Sequence, residues 1–532
     1  RLTPLKDVYY THDTTFDFNP KGHRETNYVL LGIAFLILFI AGINFTNLTT
    51  SLIPLRLKTI NTHRVLGCSI YKLRAISLIE SIVICLISYI LALFIVNDLS
   101  YTPIANWVDA DIRLSQYKGL ILLTALIAIL TGCLAGLYPA IRSTSYAPAL
   151  VLKGSFGLSP KGKKVRVALI GFQYTVSIAL IIVTLFMGLQ NHFMTSSEQL
   201  GFNKDQVAIV NLTPEIYAKH KPQYIQKLKD YPGIEDVAFS VYELSKEDDM
   251  IDLEYARHED KDVFFKVFYA SENFLSVMDI QVEEGRDFTR EDLNKAQSDY
   301  IINPAAERDF HLHPGDRFND RTVLGVSKDF RFNSCRIASS PFVFALNNDI
   351  PNPKLVSYIR FNSKTNLQEA VAHVRETLKE IDPTFPFEIS FYNTILNNLY
   401  QKEQTLGKLI SLFGIMAILI SIVGVFGLVL FETQYRRKEI GIRKINGATT
   451  GQILLMFNKT YIRIVSVCFI ISIPIAWMGT QQWLENFAYK TPLHLWVFIV
   501  AFLIILSVTI GTVTFRNWQA ANENPVNSVK SE

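Results

Sequence analysis

The sequence predicts an α-helical integral membrane protein with seven spans and a large α+β extracytoplasmic domain. Two observations carry this prediction. Seven long apolar segments flank a central stretch of ordinary soluble composition, and the loops between them are basic on one side and acidic on the other. A helix of about 20 apolar residues crosses the roughly 30 Å of hydrocarbon in a bilayer. The mean hydropathy of +0.21 therefore averages over two different kinds of protein.

The apolar segments form a group of four before the central stretch and a group of three after it. They are residues 28–50, 76–97, 119–140, 167–189, 407–431, 459–480 and 494–515. Channels and secondary transporters usually carry ionisable groups at mid-membrane, whereas the charged residues here lie toward the segment ends. The small and amide residues that suit close helix contacts are Asn44, Asn47, Gln173, Gly424 and Gly427. This composition favours transmission of motion over conduction of a solute.

The distribution of charge predicts the orientation. Loops 51–74, 141–166 and 434–459 are rich in Lys and Arg and contain a single acid, Glu439. Loop 98–118 and the central segment 191–405 carry most of the acidic residues. Because cytosolic loops attract positive charge, we expect the basic loops and the C-terminus to be cytosolic. The central segment then lies outside.

The chain contains an internal repeat, in which a span, a basic helix and two further spans recur. The predicted domains are residues 1–27, the end of a first extracytoplasmic domain; 28–154, three-span copy one; 155–190, a basic linker and span; 191–405, the outer domain with stalk helices; and 406–532, three-span copy two. The full unit is a span, an outer domain and three spans. We therefore expect a fragment that lacks at least one N-terminal helix; a processed protein with an external N-terminus is the alternative.

The outer domain is predicted to mix helices and strands. The expected strands are 207–210, 234–241, 262–269, 300–303, 322–326, 355–361 and 385–391, and the expected helices are 222–231 and 367–381. They give a β-α-β order twice. Polar helical stretches at about 190–200 and 392–406 are expected to continue the spans as a stalk. Cys335 is the single cysteine of this segment, which excludes an intrachain disulfide there.

The basic segment Arg436–Gly447, with its degenerate copy Arg56–Gly67, is the strongest functional signal. In copy two an apolar stripe is expected from Ile440 and Ile445, and a helix stop from Gly447. The predicted contact residues are Arg436, Arg437, Glu439, Ile440, Gly441, Arg443, Lys444 and Gly447 in copy two, and Arg56, Lys58, Arg64 and Gly67 in copy one. Glu439 favours a specific salt bridge or cap; the alternative is an anchor on anionic headgroups.

Several motifs together resemble a known family. The most specific are Glu432–Ala448 and Pro474–Trp477 with Trp483–Tyr489; weaker ones are Leu2–Val8, Val165–Gln173, Gly285–Phe288 and Gly325–Phe330. Over essentially its whole length the chain resembles the FtsX-like/MacB-like ABC transporter permeases, in the long two-unit form. That resemblance implies that the Arg-x-x-Glu-Ile-Gly segment is a coupling helix that docks on a cytosolic ATPase.

The resemblance also implies partners and location. The expected partner is a cytosolic ABC ATPase in two copies, which holds the ATP and Mg, while this chain binds no cofactor or metal. A periplasmic adaptor or outer-membrane partner is a further expectation, and nucleic acid is not. The implied location is the bacterial inner membrane, with the large domain periplasmic. Copy one departs from the pattern at Thr59, Asn61 and His63, so we expect it to dock more weakly.

Other motifs favour ordinary roles. Gly157–Lys164 nearly matches a phosphate-binding loop, but no strand precedes it and Lys164 stands at the Mg-binding hydroxyl position. His311 and His313 have no suitably spaced third ligand in the sequence. The acids between Glu247 and Asp262 are typical of a solvated face with a mobile loop. No nucleophile–base arrangement indicates a catalytic site.

We therefore expect a non-catalytic permease subunit that acts by mechanotransmission. It would couple ATP hydrolysis by its partner to movement of the periplasmic domain, for export or extraction of a peptide, antibiotic or lipoprotein. The alternative is a membrane receptor that signals through its basic helices without transport.

Overall fold

The computed structural model describes residues 24–102, 113–145, 160–196, 200–245, 252–295, 297–331, 334–346 and 355–522, with the isolated residues Pro4 and Ala105. The chain divides into two compact units. One, the membrane unit, comprises residues 1–188, 405–482 and 493–532. The other, the sheet unit, comprises residues 189–404 and 483–492.

The helices and strands follow in chain order. The helices are α1 (Arg24–Ser51), α2 (Ile53–Val65), α3 (Ile70–Leu99), α4 (Lys118–Thr144), α5 (Pro160–Thr195), α6 (Lys221–Lys229), α7 (Phe274–Met278), α8 (Pro304–Phe310), α9 (Leu367–Ile381), α10 (Tyr392–Leu399), α11 (Gln401–Tyr435), α12 (Arg437–Ile445), α13 (Thr450–Leu484) and α14 (Leu495–Ala521). The strands are β1 (Val207–Leu212), β2 (Ile234–Ser240), β3 (Asp252–His258), β4 (Lys261–Ala270), β5 (Val282–Gly285), β6 (Tyr300–Ile302), β7 (Arg317–Phe318), β8 (Arg321–Ser327), β9 (Phe342–Leu346), β10 (Leu355–Phe361) and β11 (Ile389–Phe391).

Within the described residues, seven helices are long and apolar enough to cross a membrane. They contain Asn27–Ser51, Ile70–Leu99, Lys118–Thr144, Val167–Thr195, Glu403–Gly427, Thr450–Leu484 and Leu495–Gln519. The predicted fold class, a seven-span helical membrane protein with a large α+β domain, is confirmed. The near-match to a phosphate-binding loop ends inside the first turns of α5, because that helix begins at Pro160.

The repeat is also visible in the helices. Copy one consists of α1–α4 and copy two of α11–α14. The third spans of the two copies, α4 and α14, have 27 residues each, and the alignment of their first residues pairs Lys118 with Leu495. Placing Gly67 on Gly447 aligns the first two spans and the basic helices in the same way. These two registers define the equivalent positions of the two copies.

The sheet unit is built on a split β-α-β arrangement. Its main sheet has the order β11-β1-β10-β2-β4-β9-β6-β8-β5, with β3 added to β4 and β7 to β8. The first four positions hold the strands of two β-α-β units, β1-α6-β2 and β10-α9-β11, interleaved as in ferredoxin-like folds. The strands β3–β9 form an insertion between them. Both β-α-β units were predicted.

Both faces of this sheet are covered. Along β1, Val207 and Ile209 join a core with α7 and α10, while Ala208 and Val210 join a second core with α6 and α9. The alternation follows from the two-residue period of a strand. It explains why β1 is apolar nearly throughout.

Three sequence predictions need correction. The acidic stretch is not a loop throughout, because β3 pairs with β4 through a turn at Glu259 and Asp260, both with positive φ; residues 246–251 lie outside the described part of the chain. The strand expected at 385–391 is reduced to β11. The polar stretch after it is not one stalk helix, since α10 and α11 are separated at Tyr400.

Two motifs of the family resemblance meet at one backbone crossing. Gly285 has φ +80°, and a β-carbon there would lie 2.2 Å from the Leu324 carbonyl oxygen and 2.7 Å from the Gly325 Cα. Just beyond it, Arg286 donates two hydrogen bonds of 2.7 and 2.8 Å to the Asp292 carboxylate. The motifs Gly285–Phe288 and Gly325–Phe330 therefore stabilise the insertion.

Asp292 is 2% exposed and is bound from several sides. Besides Arg286, Lys295 pairs with it at 2.9 Å, and the Thr289 N–H and hydroxyl donate to it at 2.9 and 2.8 Å. The Arg286 hydrogen bonds, helped by Lys295 and Thr289, hold the pKa of the Asp292 carboxyl far below its usual range. The carboxylate is therefore the central polar group of this part of the insertion.

We predict that Asp292→Asn destabilises the sheet unit by about 2 kcal/mol at pH 7, because the buried carboxylate that accepts charged hydrogen bonds from Arg286 and Lys295 is lost. The folded-state pKa is depressed, so this stabilisation is fully present above the unfolded pKa of about 4 and is lost progressively as the pH falls from there toward the lower folded-state pKa. Urea-induced unfolding of the detergent-solubilised protein, monitored by limited proteolysis, measures the difference in the free energy of unfolding. A difference that is equally large at pH 3 and pH 7 would contradict this account.

Candidate coupling site

The two basic helices, α2 and α12, end in the same way. Gly67 and Gly447 follow them with φ of +91° and +87°. In each copy the residue after the glycine donates its backbone N–H to the carbonyl five residues earlier, over 2.9 Å. A left-handed residue with this hydrogen bond is the Schellman helix end, which glycine adopts without steric cost. The predicted helix stop at Gly447 is therefore present, and Gly67 ends α2 in the same way.

The next helix also begins alike in the two copies. The Ser69 hydroxyl accepts a hydrogen bond from the Lys72 N–H at 3.3 Å, and the Thr449 hydroxyl accepts one from the Gln452 N–H at 3.3 Å. Ser and Thr are favoured N-caps because they satisfy a free N–H of the first turn. In both copies, therefore, the basic helix ends at a left-handed glycine and the following span begins at a hydroxyl N-cap.

In copy two, the single acid of the basic loop pairs within its own helix. Glu439 accepts a 2.8 Å hydrogen bond from Arg443 and lies 3.9 Å from Arg436. Arg436 also pairs with Glu432 at 3.1 Å, and its guanidinium lies 5.7 Å from the Phe457 ring centre. Exposed pairs at this spacing contribute only about 0.3–0.5 kcal/mol. Glu439 therefore orients the Arg443 guanidinium. This weak pair leaves other N–H groups of the guanidinium for a further partner.

The apolar stripe expected from Ile440 and Ile445 is not a single stripe. Ile440 is 4% exposed, whereas Ile445 is 65% exposed and Ile442 is 55% exposed. Positions five apart lie on different faces of a helix with 3.6 residues per turn. Ile442, Arg443 and Ile445 form the exposed surface, and Ile440 with the buried Gly441 faces the protein.

Copy one keeps the shape of this helix but changes its partners. Arg56 pairs with Glu80 of α3 at 2.8 Å, and Arg64 donates to the Thr144 carbonyl at 3.3 Å. Asn61, which replaces Gly441, is buried and donates to the Leu57 carbonyl at 2.9 Å.

The exposed residues at the end of α2 include Val65 at 66% and Leu66 at 77%. The exposed surface of copy one therefore lacks an arginine at the position of Arg443, where His63 stands. The Lys58 and Arg437 side chains and the tail beyond Asn522 lie outside the described residues.

The two copies contact each other at equivalent positions. In the alignment that places Gly67 on Gly447, Asn44 of α1 falls on Gly424 of α11. A β-carbon at Gly424 would lie 2.5 Å from the Asn44 Oδ1. Contact between equivalent positions is what a two-fold axis through an interface produces. The membrane unit is therefore an internal pseudo-dimer about an axis between α1 and α11.

Polar side chains surround this contact. Asn44 donates to the Ile420 carbonyl at 2.8 Å, and the Gln173 Oε1 would lie 3.1 Å from a β-carbon at Gly424. Next to them, the hydroxyls of Ser177 and Ser421 are 2.9 Å apart. The small and amide residues singled out in the spans are thus used for close helix packing.

We predict that Gly424→Ala destabilises the membrane unit by about 1–3 kcal/mol, since the added methyl group overpacks the contact with Asn44. Combining it with Asn44→Ala should cost less than the sum of the single changes. Thermal unfolding in detergent measures both. Gly479→Ala is the control, because no atom lies within 4 Å of its added carbon. Additive effects at positions 44 and 424 would contradict direct contact.

The sheet unit contains a compact cluster, here called the junction cluster, of Met194, Cys335, Tyr400 and Phe487. The Tyr400 hydroxyl lies 3.2 Å from the Cys335 sulfur. Burial raises the pKa of both the Cys335 thiol and the Tyr400 hydroxyl. Four chain segments meet here: the end of α5, the segment after β8, the turn between α10 and α11, and the loop before α14.

Aromatic and polar contacts extend the junction cluster. The Arg331 guanidinium lies 4.1 Å from the Tyr489 ring centre, and the Tyr489 N–H donates to the Cys335 carbonyl at 3.1 Å. Gln190 donates to the Tyr489 carbonyl at 3.0 Å and accepts from the Thr491 N–H at 2.8 Å. The motif Trp483–Tyr489 therefore belongs to the sheet unit, a role that its sequence alone did not reveal.

One group of side chains could hold a cation. A ligand atom from each of Glu284, Glu307 and His313 lies within 4.8 Å of the others, and His313 Nδ1 is 3.5 Å from the Glu307 carboxylate. Sequence reasoning missed the third ligand because β5 brings Glu284 to α8 only in the folded unit. The three residues are exposed or half-buried, and such groups are common without a metal.

Comparison with known proteins identifies the repeated spans. A family model described as FtsX-like permease C-terminal matches residues 31–148 and 411–525. The macrolide export ATP-binding/permease protein MacB of Aggregatibacter actinomycetemcomitans is 25% identical over 212 residues, 37% of this chain and 32% of that protein. The protein of the same description from Neisseria gonorrhoeae is 25% identical over 223 residues, 39% of this chain and 34% of the relative. The chain thus spans about a third of the length of these relatives.

Two solved structures resemble part of the chain. The periplasmic region of MacB from Actinobacillus actinomycetemcomitans is 15% identical and has a TM-score of 0.28, covering 37% of this chain and 94% of that one. The extracellular domain of the ABC-type transporter YknZ from Gram-positive bacteria is 16% identical with a TM-score of 0.26, covering 35% and 98%.

Proposed function

From the premise that this chain belongs to the FtsX-like/MacB-like permease family, we propose that it is the non-catalytic membrane subunit of an ABC-type complex. A separate cytosolic ATPase, in two copies, holds the ATP and Mg and docks on α2 and α12. Its hydrolysis cycle moves the extracytoplasmic sheet unit. The substrate is a peptide, an antibiotic or a lipoprotein that is exported or extracted.

One observation carries the proposal. A short helix with an exposed basic and apolar surface occurs in both copies beside FtsX-like spans. In each copy this helix ends at a left-handed glycine, and a hydroxyl N-cap begins the next span. A membrane anchor needs only positive charge near the headgroups. It does not need a fixed helix end. Matching geometry in two copies fits a surface that must present defined side chains to two equivalent partners.

The orientation rests on charge. The basic loops around α2 and α12 lie on one side of the seven spans, and cytosolic loops are the ones enriched in Lys and Arg. We therefore place these helices and the C-terminus in the cytosol of a bacterium, the spans in its inner membrane, and the sheet unit in the periplasm. A periplasmic adaptor or outer-membrane partner would contact the sheet unit.

The contacts of α12 and the continuity of the helices support transmission of motion. Arg436 ties the start of α12 to the end of α11 through Glu432, and α11 runs without interruption from Gln401 to Tyr435. A displacement of α12 would therefore act directly on a span of more than eight turns. At the other end, Glu403 of the same helix pairs with Arg336 at 2.8 Å in the sheet unit.

We predict that the pair Glu439→Ala and Arg443→Ala lowers recovery of the ATPase with the purified complex about 30-fold. Loss of a central arginine contact at an interface costs about 2 kcal/mol. Affinity purification from native membranes in mild detergent, with ATPase activity assayed on the eluate, measures the loss. Lys72→Ala is the matched control: it also removes an exposed cation of a basic loop, but it lies outside the helix surface.

Equal losses in the double variant and the control would favour a simple positive anchor over docking. Normal recovery of the ATPase with the double variant would contradict docking through α12. Absence of any ATPase from well-folded wild-type protein would instead support a receptor that signals through the basic helices.

A further inference from the structure

The ends of the two basic helices offer equivalent positions to a partner. With Gly67 aligned on Gly447, residues 61–70 and 441–450 match one for one in whether each is buried, half-buried or exposed. This agreement follows from the shared Schellman end, which fixes the geometry of the last helical turn. A partner that contacts both copies therefore meets the same exposed positions, and the difference between the copies lies in the chemistry of the side chains.

One exposed position keeps its chemistry. Ile445 in copy two and its equivalent Val65 in copy one are 65% and 66% exposed. An exposed aliphatic side chain is stabilised when a partner removes it from water. A single apolar pocket on the partner would serve both copies at this position.

Copy two adds a cation whose donors are only partly used. The Arg443 side chain is half exposed and is oriented by its 2.8 Å hydrogen bond to Glu439. A guanidinium has five N–H donors in a planar fork, which matches the two oxygens of a carboxylate. Attraction between exposed charges is screened by salt. A partner that binds Arg443 therefore needs an acid at this point, and the contact should weaken in high salt.

Copy one has a different group at the position of this arginine. His63 stands there, and an imidazole lacks the bidentate fork of a guanidinium. The neighbouring Arg64 donates to the Thr144 carbonyl of α4 at 3.3 Å, and Arg56 pairs with Glu80 of α3 at 2.8 Å. The two arginines of α2 are thus engaged within copy one.

Copy one instead adds an apolar side chain. Leu66 is 77% exposed, whereas its equivalent in copy two is the polar Asn446. Together with Val65 it forms an aliphatic pair at the end of α2. Burial of apolar surface is driven by the release of water and not by attraction between charges, so salt does not screen it.

We propose that the two helices bind their ATPase subunits through different contacts. In copy two the contact is an ion pair between Arg443 and a carboxylate of the ATPase; in copy one it is apolar burial of Val65 and Leu66. This inference rests on the proposed function and specifies the chemistry of its partner. Because the two ATPase subunits are copies of one chain, the docking face of that chain carries an acid beside an apolar pocket. The substitutions in copy one therefore change the kind of contact and not only its strength.

Ionic strength separates the two contacts. Inverted membrane vesicles of the full-length protein, with the bound ATPase, carry p-benzoylphenylalanine at Ile442 or, in a second protein, at Thr62. The ATPase adduct is quantified after irradiation in about 0.1 M and about 1 M NaCl, between which the Debye length falls from about 10 Å to about 3 Å. The adduct at position 442 should fall about tenfold, as expected for loss of one interfacial ion pair. The adduct at position 62 should fall less than about twofold, since apolar burial is not screened.

Reciprocal substitutions assign the difference to single side chains. Arg443→His should lower the adduct at position 442 in low salt and remove its salt dependence, whereas His63→Arg should make the adduct at position 62 salt-dependent. Leu66→Asn should lower the adduct at position 62 at both salt concentrations. Arg463→His is the matched control, because it replaces an exposed arginine of the following helix, and it should leave the salt dependence at position 442 unchanged.

The outcomes distinguish this inference from the proposed function. ATPase adducts at neither position in low salt would overturn the proposed function itself. Adducts at both positions with the same salt dependence would overturn only the inference of different contacts and leave docking intact. An ATPase adduct at position 442 alone, or a salt dependence there that survives Arg443→His, would also overturn the inference.

Discussion

The contact between Asn44 and Gly424 is the constraint on which the membrane unit depends. It joins equivalent positions of the two copies, and a β-carbon at Gly424 would lie 2.5 Å from the Asn44 Oδ1. Because the contact lies on the pseudo-two-fold axis, it fixes the relation of α1 to α11 and, through them, the arrangement of both three-span copies. Asn44 also bonds the Ile420 carbonyl, so the axis is specified by hydrogen bonding as well as by shape.

Two further groups of contacts shape the molecule, one in each unit. Toward the basic loops, each copy ends its helix at a left-handed glycine and restarts at a hydroxyl cap, so both surfaces are presented with the same geometry. In the sheet unit, the junction cluster joins the end of α5 to Cys335 and to Tyr400, which lies in the turn before α11. The proposed function involves both the basic helices and the sheet unit. The basic helices of the two copies differ in chemistry, because Arg443 stands on one exposed surface and His63 on the other.

Much of this could be predicted from the sequence. The spans follow from long apolar runs, and Gly447 was an expected helix stop because glycine tolerates positive φ. The exposed face of α12 could not be predicted, since the period of one short helix does not say which side its neighbours cover. Ile440 proved buried and Ile442 exposed for that reason. Likewise the acidic composition of β3 concealed a strand that forms only by pairing with β4.

The central claim is that both basic helices bind a cytosolic ATPase. The most direct measurement places a photo-cross-linking residue at Ile442, which is 55% exposed, and in a second protein at Thr62, its equivalent in copy one. Irradiation in native membranes is followed by mass spectrometry of the products. The account predicts that both positions cross-link to an ABC ATPase. Cross-links to lipid alone at both positions would contradict it.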